Sequence, residues 1–118
     1  MLRVIVHDDA KAKAAEASRF YERARPGYGE TFVDEVEKGL RRSGRTPLRW
    51  SFLREPARRY PLPGFPYLLV YIPDAEAAFV LAVMHAHRQP GYWIPRLADI
   101  ERLRARGEDE PGGQVGTS

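Results

Sequence analysis

Phe65-Pro66-Tyr67-Leu68-Leu69-Val70-Tyr71-Ile72-Pro73-Asp74-Ala75-Glu76-Ala77-Ala78-Phe79-Val80-Leu81-Ala82-Val83-Met84-His85-Ala86-His87 is the stretch that decides the fold. It holds two apolar runs, Phe65 to Ile72 and Ala77 to His87. The four residues Pro73-Asp74-Ala75-Glu76 between them form a hairpin loop. Neither run alternates apolar with polar residues. Both faces of each strand therefore need cover, which places the pair at the centre of a sheet with helices on at least one side. The second run ends abruptly in polar and ring-bearing residues, His85 through Arg88 and then Pro90-Gly91-Tyr92-Trp93. A change of that kind at a strand end marks a working edge rather than core.

Outward from the hairpin, Leu2 to Val6 is rich in β-branched residues and predicts a first strand. Asp8 or Asp9 can cap the helix that follows, which runs to about Ala24 with Ala10, Ala14, Ala17 and Phe20/Tyr21 on one stripe. Arg25-Pro26-Gly27-Tyr28-Gly29 breaks it. A second helix from about Glu30 to Arg42 carries the stripe Tyr28, Phe32, Val36 and Leu40, and the short turn makes the two helices an antiparallel hairpin. Trp50–Leu53 and Ala57–Tyr60 are weaker strand candidates. Pro90, Gly91 and Pro95 delay any helix until about Arg96, after which Leu97, Ile100 and Leu103 mark a short amphipathic segment. The expected fold is α+β: a strand, a two-helix antiparallel hairpin packed on one sheet face, an antiparallel β-meander and a short C-terminal helix. Residues 1–106 form one domain, and the Gly-rich, acidic residues 107–118 are expected to be disordered.

Composition narrows the chemistry. At 118 residues and 43% apolar the chain makes one modest core. It has no cysteine, hence no thiol nucleophile, disulfide or cysteine zinc site. No apolar run approaches the ~20 residues that span a bilayer, and the first residues are too short and too alternating for a signal peptide. A cytoplasmic protein is expected. Net charge is only +3, but eight basic residues lie between Lys38 and Tyr60 against the single acid Glu55. Sixteen of the nineteen cations are arginine, which suits bidentate contact with phosphate or carboxylate.

His85 and His87, two apart on the expected strand, project from one face and can supply a general acid and a general base. The same pair can equally serve as a strand-end hydrogen-bonding group and a solvated ring. Arg88 follows, and Arg58 or Arg59 on a neighbouring strand can stabilise a phosphate gaining charge. Because Arg58 and Arg59 alternate faces, one of them at most serves a given site. Tyr92 and Trp93 offer flat faces for base stacking, or plugs over the core. Metal-free RNA cleavage fits this set, with His85, His87, Arg88 and Tyr92 as catalytic candidates and Arg58, Arg59 and Arg88 on phosphate. No carboxylate joins the histidines at ligand spacing, and no phosphate loop or dinucleotide fingerprint is present, so neither metal nor cofactor is expected.

Taken in order, several pieces resemble one family. They are Ala15-Glu16-Ala17 with Phe20-Tyr21, Arg25-Pro26-Gly27-Tyr28-Gly29 with Phe32, Pro47, Arg58 or Arg59, Phe65-Pro66-Tyr67 with Tyr71, and His85 through Arg88 leading to Pro90-Gly91-Tyr92-Trp93 and Arg96. The chain resembles the RelE/ParE superfamily of type II toxin–antitoxin toxins, and within it the ParE-like plasmid stabilisation proteins. The resemblance implies a growth-arresting toxin neutralised by a cognate antitoxin, whose acidic amphipathic segment would dock as a helix or added strand. It leaves DNA gyrase, or the translating ribosome and its mRNA, as the target, and a degenerate non-toxic member as a third reading. Arg54, Trp93 and Arg96 are the expected partner contacts. The paired lysines frequent in ribosome-directed members have no equivalent between Arg45 and Arg59.

Overall fold

The computed structural model describes residues 1–87 and 91–109. In chain order it holds β1 (Arg3–Val6), α1 (Asp8–Ala24), α2 (Tyr28–Arg45), β2 (Phe52–Arg54), β3 (Ala57–Pro61), β4 (Tyr67–Pro73) and β5 (Ala77–His85). A 3-10 helix (Gly91–Asp99) then leads into α3 (Ile100–Asp109). The five strands form one sheet in the order β1-β5-β4-β3-β2. β2 to β5 make the expected antiparallel meander, and β1 adds to the far side of β5 in parallel. The fold is the anticipated α+β arrangement. Among the described residues no helix is long and apolar enough to cross a membrane.

Every residue of β5 from Ala77 to Met84 is buried, and so are Leu68 to Ile72 of β4. Two separate cores satisfy the two faces. On one, α1 and α2 pack Ala10, Ala17, Phe32 and Val36 against Tyr60, Leu69, Tyr71 and Val80. On the other, Trp93 and Leu103 from the C-terminal elements close over Leu68, Val70, Phe79 and Leu81. Cover on both sides, rather than one, is what the unbroken apolar runs require.

The helical hairpin is tight because its glycines let backbones touch. A Cβ on Gly29 would lie 2.5 Å from the Ser18 carbonyl, and one on Gly44 would lie 2.7 Å from the Leu2 carbonyl. Gly27 takes φ +87 to turn the chain, and the Glu22 carboxylate accepts from the amides of Gly27 and Gly29 at 2.9 and 3.0 Å. That contact starts α2 at Tyr28 rather than Glu30, with negative charge at the helix N-terminus. At its other end α2 runs through Ser43-Gly44, where a helix stop was expected. Gly44 is there for close packing on β1, and the Leu2 amide donates to its carbonyl at 2.9 Å.

The cap of α1 is also a correction. His7, not Asp8 or Asp9, is the capping residue: its Nδ1 accepts from the Asp9 amide at 3.1 Å. Its Nε2–H then donates to Asp99 Oδ2 at 2.7 Å, fixing the tautomer and tying α1 to the C-terminal elements. Arg106 on Asp8 (3.0 Å) and Arg104 on Asp74 (2.7 Å) add to this clamp. The segment after Pro90 forms a 3-10 helix from Gly91, and α-helix begins only at Ile100, not Arg96. α3 extends to Asp109, past the expected domain end at Arg106; residues 110–118 of the expected tail lie outside the described residues.

Two stability predictions follow from these contacts. Gly44→Ala gains roughly 1 kcal/mol of helix propensity yet drives a methyl into backbone, so urea unfolding should show a net loss of about 1–3 kcal/mol; a rise in the midpoint would refute the close-packing account. The clamp sets an acid dependence. Hydrogen bonding to His7 and then Arg102 lowers the Asp99 pKa below 3.8, and hydrogen bonding to Arg106 lowers that of Asp8. A lowered folded pKa gives stability that is complete above the unfolded value and lost as pH falls through the folded one. Thermal melts should therefore weaken below about pH 3.8, and Asp99→Asn should flatten that decline; an identical pH profile in the variant would remove Asp99 from the account.

Candidate functional site

A cleft of about 530 Å³ opens where the cover of the helix-pair face ends. Lys13, Glu16, Ala17, Phe20 and Tyr21 of α1 form one wall, Tyr67, Met84 and His85 the floor, and Tyr92 the far side. The register explains the floor. His85 is paired with Tyr67, so both project from the same face at the last rung of the β4–β5 ladder, with ring centroids 5.4 Å apart. Tyr67 is held in turn by an aromatic cluster: Phe32 at 5.3 Å, Tyr21 at 6.2 Å, and Phe65 packing edge-on to Tyr21 at 4.9 Å. Burial raises the pKa of Tyr21, and that of Tyr92 despite the lowering influence of Arg96 and Lys13. Both phenols are therefore neutral hydrogen-bonding groups at neutral pH.

The histidines meet by a different route from the one expected. β5 ends at His85, and His87 lies in the turn beyond it, so the strand alternation does not apply. The turn nevertheless brings the rings to 5.4 Å, and the His87 amide donates to His85 Nδ1 at 3.2 Å. With its Nδ1 accepting, His85 carries its proton on Nε2 when neutral. Arg88, the third member of the set, lies outside the described residues. Tyr92 reaches the cleft, its ring covered by the Arg96 guanidinium at 5.0 Å.

The arginines do not join them. Arg59 pairs with Val70 and projects from the opposite sheet face to His85. Arg58 shares the face of His85 but pairs with Tyr71, four residues along β4 from Tyr67, or roughly 13 Å. Its guanidinium is also occupied: it donates to the Trp50 and Leu48 carbonyls at 2.7 and 3.3 Å and lies 4.1 Å over the Phe52 ring. Tyr71 beside it donates to the Pro47 carbonyl at 2.6 Å, and burial pushes its pKa up to about 12, against the lowering effect of Arg58.

Of the expected partner contacts, Arg54 is exposed at the end of edge strand β2. Trp93 is only 4% exposed and belongs to the second core, the plug rather than the stacking face. Arg96 donates to the Leu81 carbonyl at 2.6 Å and approaches Asp9 at 3.7 Å, so it anchors the 3-10 helix. Lys13, Glu16, Phe20, Tyr21 and Tyr67 were not singled out as site residues. Phe20 carried the one available signal, since it and Tyr21 cannot both face the core of one helix. Tyr21 turns in and Phe20 stays 57% exposed beside the cleft.

Among curated proteins, no match to the chain is found. The family model for the ParE toxin of type II toxin–antitoxin system, parDE, matches residues 4–90, a span that takes in both helices of the hairpin and the strands from β1 to β5. With that match spanning most of a sheet and helical hairpin of the arrangement described, the chain belongs to the ParE toxin family of type II toxin–antitoxin modules, whose members pair with a cognate antitoxin.

Proposed function

We propose that this toxin arrests growth by inhibiting DNA gyrase, and that its antitoxin neutralises it by seating an amphipathic segment in the α1 cleft. The observation that supports the gyrase reading is the separation, among the described residues, of Arg58 and Arg59 from His85. A nuclease needs its phosphate contact and its acid or base within hydrogen-bond reach of one phosphodiester. Here Arg59 is on the other sheet face and Arg58 is held by two backbone carbonyls. A protein-binding poison has no such requirement. The His85–His87 ring pair over Tyr67 favours the second reading, a ribosome-dependent mRNA endonuclease with the histidines as acid and base.

Supercoiling by purified gyrase, measured beside cell-free translation of a defined message, separates the two. The expected result is inhibited supercoiling, an intact message, and growth arrest that persists in His85→Ala. New RNA ends in codon register, together with loss of arrest in His85→Ala, would replace gyrase with the ribosome. Removal of everything after Arg96 is not a clean test of either target, because it strips Leu103 from the core and Arg104 from Asp74.

The antitoxin reading is supported by an exposed aromatic, Phe20, at the mouth of a cleft lined by both aromatic and charged side chains, the kind of anchor point that dominates helix-in-groove binding. Phe20→Ala should weaken antitoxin affinity by about 1–2 kcal/mol, roughly tenfold, without lowering the melting temperature. Unchanged affinity in calorimetry would move the antitoxin off this cleft.

A further inference from the structure

The small net charge hides an uneven partition. Where α1 meets the β4–β5 turn and α3, several cations are met by carboxylates: Lys13 by Glu16, Arg96 by Asp9, Arg102 by Asp99, Arg104 by Asp74 and Glu76, Arg106 by Asp8; Lys11, Arg19 and Arg23 of α1 are exposed outside that network. From Arg41 to Arg59 there are seven arginines and one acid, Glu55. Arg42 donates to the Tyr60 hydroxyl at 2.8 Å and Arg58 to backbone, so those two hold structure. Arg41, Arg45 and Arg49 are exposed, and among the described residues none has a carboxylate within ion-pair distance. Arg41 and Arg45 stand one turn apart on the same face of α2, a rise of about 6 Å. Arg49 follows in the loop below the helix end, 5.3 Å over the Trp50 ring. Leu48 beside it is 70% exposed.

We propose that the Arg41–Arg45–Arg49 surface binds the phosphate backbone of duplex DNA without reading its sequence. The helix holds two guanidiniums at a rise near two phosphate steps of ~3.4 Å on one strand. Arginine donates to phosphate in a bidentate fork, and a rigid helix holds such forks in register with a regular polyanion. Single-stranded nucleic acid fits less well, because it needs free aromatic faces for unpaired bases. The two nearby rings, Trp50 and Phe52, are each covered by an arginine. An amphipathic peptide needs an apolar groove for its apolar face, and the cleft on α1 is lined by none of these arginines. DNA binding here does not depend on the gyrase reading; it gives a toxin directed at a DNA-bound enzyme a second hold on its target.

The test is fluorescence anisotropy of a labelled mixed-sequence DNA duplex titrated with the full-length chain, free of antitoxin and without gyrase, across a salt series. Three phosphate contacts predict a slope of log affinity against log salt of about −2.7. Replacing all three (Arg41→Gln, Arg45→Gln, Arg49→Gln) should cost at least about tenfold at low salt and flatten the slope, whereas the matching lysine replacements should preserve the slope. An equal loss of charge elsewhere on the surface (Lys11→Gln, Arg19→Gln, Arg23→Gln) should leave affinity nearly unchanged. Absent duplex binding at low salt, an equal loss in both glutamine triples, or tighter binding of single-stranded RNA that survives the first triple would each overturn the proposal. Because gyrase is absent from the assay, failure here leaves the gyrase reading intact, and failed gyrase inhibition leaves this one intact.

Discussion

Double-sided burial of β5 is the constraint on which the structure depends. Ala77 to Met84 is buried without a break, so no position along the strand tolerates water on either face. A strand of that kind must be central, and β1 and β4 fill its two hydrogen-bonding edges. Its side chains then require two separate layers of cover. The helical hairpin supplies one, and the 3-10 helix with α3 supplies the other through Trp93 and Leu103. The C-terminal elements are thus half of the core rather than an appendage. The ion pairs of Arg104 and Arg106 and the His7–Asp99 bond attach that half to the β4–β5 turn and to the start of α1.

The site arises where this cover runs out. Met84 is the last fully buried residue of β5, and His85 follows on the next rung, at the edge of both layers. α1 slopes past the strand end and leaves the cleft between its Lys13–Tyr21 face and Tyr92. The aromatic cluster of Tyr21, Phe32, Phe65 and Tyr67 fixes the floor, so the geometry of the cleft is a product of core packing rather than of a loop. Such a floor is rigid. A partner seated there would meet a preformed surface, which lowers the ordering cost of binding.

The fold was legible because its decisive signals are local: two unbroken apolar runs around a four-residue loop, and a helical stripe interrupted by Pro26 and Gly27. What failed was tertiary in origin. Ser43-Gly44 looks like a helix stop, but the glycine serves contact with β1 across the chain. No local pattern links His7 to its partner, Asp99, which is ninety-two positions away. The site was legible only in part. His85 and Tyr92 line one cleft, while Arg58 and Arg59 resemble phosphate ligands only until register and hydrogen bonding are known. Residue type announces which chemistry is available; the sheet decides which of those residues share a space.

Charge makes the same point at the scale of the whole surface. A chain at +3 could be uniformly mixed, with every arginine near a carboxylate. This one gathers several of its carboxylates into the clamp where α1 meets α3, where Asp8, Asp74 and Asp99 hold the second core layer in place. Exposed pairs of this kind contribute little singly, on the order of 1 kcal/mol or less, but a network tying three elements together does more than isolated pairs. The basic surface beyond Lys38 lies outside that network. A surface left so unbalanced repels itself, and any polyanion that lies across it relieves that repulsion on contact.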